Sequence, residues 1–218
     1  IGHLEKGEVR KIAKQLNMVT AEKKDSQGLC FIGKVSLPDF LQQKLQTKKG
    51  NIIEISNDFY MKESDSKTFV SESQKRKYSA SDGRIIGVHQ GAHFFTVGQR
   101  KGLAVGGTPE PLFVIDTDTD ENIVYVGQGK DHPGLLRKAL KVKVEDIHWI
   151  RPDLKILIGK QLEVMARIRY RQPLQNAKLI LKKEGLYIVF NQNQKAITSG
   201  QFVVWYLGNE LVGSGVIS

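Results

Sequence analysis

Cysteine occurs once, as Cys30, in the run Lys23-Lys24-Asp25-Ser26-Gln27-Gly28-Leu29-Cys30-Phe31-Ile32-Gly33. Two lysines precede it, and nearby ammonium groups favour the thiolate, which is the nucleophilic form of sulfur. The same residue followed by Phe31 and Ile32 also reads as a small buried hydrophobe, the commoner fate of a free cysteine. The residues alone leave both readings open.

A second constellation lies in residues 162–171. Leu162, Val164, Ala166, Ile168 and Tyr170 alternate with Arg167, Arg169 and Arg171, which predicts a strand with three arginines on one side. Residues 160–183 hold seven basic side chains against Glu163 alone, so the basic charge is concentrated there. Guanidinium forks on a β surface suit phosphate, and the neighbouring Tyr170 is placed either to stack on a base or to pack inward. Gly98-Gln99-Arg100-Lys101-Gly102 is a basic, glycine-punctuated loop, but no Gly-Lys-Ser/Thr closes it into a phosphate-binding P-loop. His89, His93 and His132 lack the partners and spacing of a metal set, so no metal is expected.

These residues need elements to position them. Val9, Ile12, Ala13 and Leu16 share one face of a short helix ending near Asn17. A second helix is predicted after Ser36, with Leu37, Phe40, Leu41 and Leu45 on one side. Beyond Gly50 the spacing turns to short β runs at 52–55, 84–88, 94–97, 112–116 and 123–126, the last two as a hairpin. Residues 61–82, with six serines, five basic and four acidic residues, read as a solvated loop or insertion. From about residue 140, six further runs at 142–144, 162–171, 177–181, 186–190, 203–207 and 211–212 predict a small barrel or sandwich. A soft boundary falls near residue 136, after Asp131-His132-Pro133-Gly134.

The bulk properties agree. A chain of 218 residues, 40% hydrophobic, buries a real core, and a net charge of +10 points toward polyanions such as nucleic acid. No apolar stretch reaches the ~20 residues that span a bilayer, and the first residues lack a signal-peptide pattern, so a cytoplasmic protein without membrane contact is expected. A lone cysteine fits a reducing compartment. The first residue is Ile1 rather than methionine, which suggests a piece of something longer.

Four motifs then act together. The Cys30 run, Gly-Ala-His-Phe-Phe-Thr-Val-Gly-Gln-Arg-Lys-Gly-Leu at 91–103, Ala-Arg-Ile-Arg-Tyr-Arg-Gln-Pro at 166–173 and Ser-Gly-Gln at 199–201 resemble the MnmA-type tRNA-specific 2-thiouridylases. The resemblance implies a mainly β chain in three parts. Residues 1–33 would be the end of an ATP-binding domain plus a catalytic cysteine loop. Residues 34–136 would form a small mostly-β central domain with an insertion near 61–82, and 137–218 a C-terminal six-stranded β-barrel that binds tRNA. It implies an enzyme that uses ATP to activate the wobble uridine and replaces its 2-oxygen with persulfide sulfur. Cys30 matches the persulfide-carrying cysteine, while Arg169, Tyr170 and Gln201 match tRNA-contacting positions. The partners implied are tRNA and a sulfur-donor protein or cysteine desulfurase relay.

The departures matter too. The family's Ser-Gly-Gly-x-Asp-Ser ATP loop and its first catalytic cysteine are absent from these residues, so this chain alone is expected to be inactive. Ser199 stands where the family usually has proline. The alternative reading is a non-catalytic RNA-binding β-barrel module with a structural Cys30.

Overall fold

The computed structural model describes residues 2–23, 45–62 and 68–218. Two compact units divide the chain, residues 1–46 and residues 47–218.

In the first unit, α1 spans Lys6–Gln15. Glu8 accepts from the Glu5 amide at 3.0 Å, closing the start of the helix. At its other end Asn17 takes the left-handed conformation, φ 51°, while Met18 N–H reaches back to Ala13 O and Asn17 N–H to Lys14 O, each at 2.9 Å. That pair is a Schellman stop, and it places the helix end where the sequence predicts it. No residue of α1 is buried. The helix predicted after Ser36 lies outside the described residues.

The second unit opens with a four-stranded sheet built from β1 (Gly50–Glu54), β2 (Arg84–His89), β3 (Leu112–Asp118) and β4 (Ile123–Gln128), in the order β2-β1-β4-β3. β3 and β4 form the predicted antiparallel hairpin, whereas β1 runs parallel to β4. Both faces are covered. Ile52, Val124 and Val126 pack beneath Ala92 and Leu103, and Ile53, Ile55 and Tyr125 pack against Leu135 and the rings of Phe59, Tyr60 and Tyr78. A sheet covered on both faces accounts for continuous apolar runs rather than alternating ones. Buried Asn122 ties together the segments that lead into β1 and β4 and the turn after β2: its amide donates to the carbonyls of Lys48 and Lys49 at 3.0 and 2.9 Å, and its oxygen accepts from Ala92 N–H.

Six antiparallel strands then close a barrel in the order β10-β5-β8-β7-β6-β9. They are β5 (Leu136–Trp149), β6 (Gln161–Arg167), β7 (Gln175–Lys182), β8 (Gly185–Lys195), β9 (Phe202–Leu207) and β10 (Glu210–Ile217). The protein is thus mainly β, with few helices. Leu140, Val142, Leu179, Ile188, Phe190, Val203 and Trp205 fill the barrel. The long β5 pairs with β8 through its first half and with β10 through its second. That double pairing explains why the run predicted at 142–144 extends to fourteen residues.

Three local expectations change. The strand predicted at 94–97 is absent: Ala92–Phe94 is a 3-10 turn, and the Gln99 side chain takes the Thr96 amide that a ladder would need. The strand predicted over 162–171 stops at Arg167, where the ladder to β9 ends at Arg167↔Val204. Gln172 then caps the turn, its side chain accepting from Ile168 N–H and its amide bonding Arg169 O.

Residues 61–82 are not a featureless solvated loop where described. α2 (Phe69–Ser73) is capped by the Thr68 hydroxyl, and Phe69 packs edge-on to Tyr187 of the barrel with ring centroids 5.4 Å apart. Arg76 donates to the carbonyls of Pro133 and Leu136, and Tyr78 meets Tyr60 hydroxyl to hydroxyl at 2.8 Å. Composition concealed this because few side chains do the anchoring, and two of the anchors are polar.

Candidate nucleic-acid interface

Antiparallel pairing puts the last residue of β6, the first residue of β9 and the last residue of β8 at one end of the barrel. Arg169, Tyr170 and Gln201 all follow from this placement. Arg169 leaves the end of β6 exposed and donates through Nη2 to Ala196 O at 3.0 Å, just beyond β8. Gly98 approaches the same spot. A Cβ there would stand 2.7 Å from the Ala196 Cβ and 4.0 Å from the Arg169 Nη2. The glycine-punctuated basic loop and the arginine segment, separate in sequence, therefore meet at Gly98.

Tyr170 corrects the predicted alternation. It does not face inward with Leu162 and Val164 but is 86% exposed, because the chain has left the strand before reaching it. Arg167 also departs from expectation. Its guanidinium donates to Tyr170 O at 3.0 Å and to the Tyr206 hydroxyl at 3.1 Å, and lies 5.7 and 5.5 Å from the two ring centroids. It braces two aromatic rings, so the three arginines do not form one row.

Gln201 begins β9. Its carbonyl accepts from Ile217 N–H at 2.8 Å, after Gly200 has turned the chain at φ 85°. Its side-chain Oε1 is buried with no hydrogen-bond partner. An unsatisfied buried acceptor costs about 1–3 kcal/mol, which a donor from a bound ligand recovers.

Behind this end, a cleft of about 200 Å³ separates the sheet from the barrel, lined in part by Lys75, Asp116, Arg137 and Thr198. Asp116 is buried and pairs with Lys75 at 2.6 Å, yet burial outweighs the lysine and holds its carboxyl above the ordinary range. Burial, aided by the charge of Arg76, lowers the Arg137 guanidinium to about 10. Arg137 and Arg76 were not singled out from sequence, since nothing distinguishes them from surface cations until the fold brings carbonyls to them.

Cys30 lies outside the described residues. Of the histidines, His132 Nδ1 accepts from Gly134 N–H and His89 Nδ1 from Gly91 N–H. Among the described residues no three His, Cys, Asp or Glu side chains gather into a metal-binding group. No described helix is long and apolar enough to cross a membrane.

Comparison with known proteins matches three family models along the chain. Residues 139–217 match the family model described as the aminomethyltransferase beta-barrel domain, 67–128 the tRNA methyl transferase PRC-barrel domain, and 1–34 the tRNA methyl transferase HUP domain. The whole chain aligns at 59% identity with the tRNA-specific 2-thiouridylase MnmA of Christiangramia forsetii, covering 57% of that protein. The chain belongs to the MnmA family.

The MnmA of Flavobacterium johnsoniae is 58% identical over the whole chain and 57% of its own length, and that of Stutzerimonas stutzeri 38% identical over the whole chain and 51% of its own length. The chain thus spans little more than half the length of these MnmA relatives. It carries the family's barrel domains, with the barrel-domain match of residues 139–217 falling on the closed barrel.

Proposed function

We propose that this chain is the tRNA-binding and persulfide-bearing part of an enzyme that converts wobble uridine to 2-thiouridine in the cytoplasm. The observation that carries the reading is end-to-end identity of 59% to a protein named a tRNA-specific 2-thiouridylase. The domain descriptions speak of methyl transfer, but the relatives are named for thiolation, and Cys30 supplies the thiol that sulfur transfer requires.

In this reading Arg169 and the exposed cation beside it, Arg171, hold phosphates, Tyr170 offers its ring to a base, and Gln201 accepts from the RNA through its unpartnered Oε1. Cys30 carries a persulfide received from a sulfur-donor protein or desulfurase relay. The terminal sulfur attacks C2 of the activated uridine, the activated oxygen leaves, and a second cysteine of the full-length protein closes a disulfide with Cys30 as the sulfur is released. ATP use is supported by the match of residues 1–34 to a HUP domain. No Ser-Gly-Gly-x-Asp-Ser run occurs here, so no ATP contact is assigned to these residues and the chain alone is inactive. Domain limits of 1–33, 34–136 and 137–218 belong to the same proposal.

The test is Cys30→Ser in the full-length protein, with nucleosides of the product tRNA resolved by mass. Loss of 2-thiouridine with tRNA binding retained is expected. Undiminished 2-thiouridine, or a methylated uridine from the wild type, overturns the proposal.

A further inference from the structure

The outward face of β6 and β9 carries aromatic rings that the tRNA-contact positions do not include. Val203 and Trp205 are fully buried in the barrel, so strand alternation turns Phe202, Val204 and Tyr206 outward. Phe202 is 62% exposed. Across the ladder Arg167 stands opposite Val204, and Met165 opposite Tyr206, which places Phe202 and Tyr206 diagonally on either side of Arg167. On the other flank Val216 faces Phe202 and Ser214 faces Val204, neither as tall as a phenyl ring.

We propose that this face is a stacking platform for unpaired RNA bases, with Phe202 and Tyr206 as its rings and Arg167 as the positioning residue that braces Tyr206 and Tyr170. The inference rests on the tRNA-binding reading above. Arg167 is half-buried, unlike exposed Arg169, its guanidinium lies over the Tyr170 and Tyr206 rings, and it donates to the Tyr206 hydroxyl and to Tyr170 O, so its role is orientation rather than phosphate contact. Rings held in advance lose little freedom on binding, which favours stacking. The occupant is RNA because Phe202 directly follows Gln201 in sequence, and because the exposed guanidinium groups of Arg169 and Arg171 follow the adjacent end of β6. Bases stack on aromatic side chains whatever their sequence, and the cations track the backbone beside them.

Binding of the full 218-residue chain is measured by fluorescence anisotropy at several salt concentrations, against unmodified tRNA and a single-stranded uridine strand of about ten nucleotides. Phe202→Ala is expected to weaken single-strand binding about ten-fold with the salt slope unchanged, and Phe202→Trp to preserve it. Arg167→Leu is expected to weaken binding without altering the slope. A slope lower by about one would make Arg167 a phosphate contact and overturn its assigned role. If Phe202→Ala binds both RNAs like the wild type while Arg169→Ala binds weakly, the platform is overturned and the tRNA-binding reading stands. If the wild type binds neither RNA, the reading itself falls, and the platform with it.

Discussion

Arg137, the second residue of the barrel's longest strand, donates to the carbonyl of Ser73 at 3.2 Å, fastening α2 to the barrel. Its second Nη atom donates to Ile197 O at 2.9 Å, so one guanidinium spans two segments that have no ladder between them. Arg137→Met leaves both carbonyls without that donor and is expected to destabilise the chain by about 2–3 kcal/mol. Arg137→Lys, which keeps the charge but cannot span both carbonyls, should fall between. Urea unfolding midpoints check this, and a midpoint for Arg137→Met equal to wild type would contradict it.

Arg169 is exposed, with its Nη2 held on Ala196 O. Removing it is expected to weaken tRNA binding and lower the slope of log affinity against log salt by about one. Arg169→Lys should retain the slope while losing part of the affinity, since lysine keeps the charge but not the fork. Titrations across a salt series separate the two effects.

The acid sensitivity of the fold has a calculable sign. His132 and His89 are buried, and burial lowers both below the ordinary histidine value of 6.5. Each uses Nδ1 as an acceptor, so protonation there breaks a hydrogen bond to Gly134 or Gly91. The unfolded chain therefore binds protons first, and stability is fully present above 6.5 and lost as pH falls through it. Each excluded proton steepens the loss by about 1.4 kcal/mol per pH unit. Urea midpoints should drop between about pH 7.5 and about pH 5.5, and His132→Gln should flatten the drop. Asp116 acts in the opposite sense, since burial raises it, with a window that opens at 3.8.

Gly213 makes room for Trp205. A Cβ at this position would lie 2.6 Å from the indole Cζ2 and 2.7 Å from His148 O. Trp205 is fully buried and the carbonyl belongs to β5, so neither yields easily. Gly213→Ala is expected to cost about 1–3 kcal/mol, read as a lower melting temperature with the barrel fold kept by circular dichroism.

Much of this protein was legible in its residues. Short apolar runs between turns predicted the mainly β class, and ordered motifs over the whole chain identified the family, because strand alternation and motif spacing are local properties of a sequence. The β3–β4 hairpin followed from the same logic. What stayed hidden depends on neighbours distant in sequence. Phe202-Val203-Val204-Trp205-Tyr206 is apolar on both sides, so only barrel closure decided that Val203 and Trp205 go inward and Phe202 and Tyr206 outward. Residues 162–171 alternate well past the point where the ladder ends, since side-chain pattern does not record where a partner strand stops. Arg167, Arg137 and Gly98 take their roles from contacts 39, 60 and 98 residues away or from strands closing around them, in that the fold alone sets Tyr206, Ile197 and Ala196 beside them. Sequence determined which elements form and which family they serve; tertiary structure decided which faces meet solvent and which cations are committed to the protein, because both depend on long-range packing.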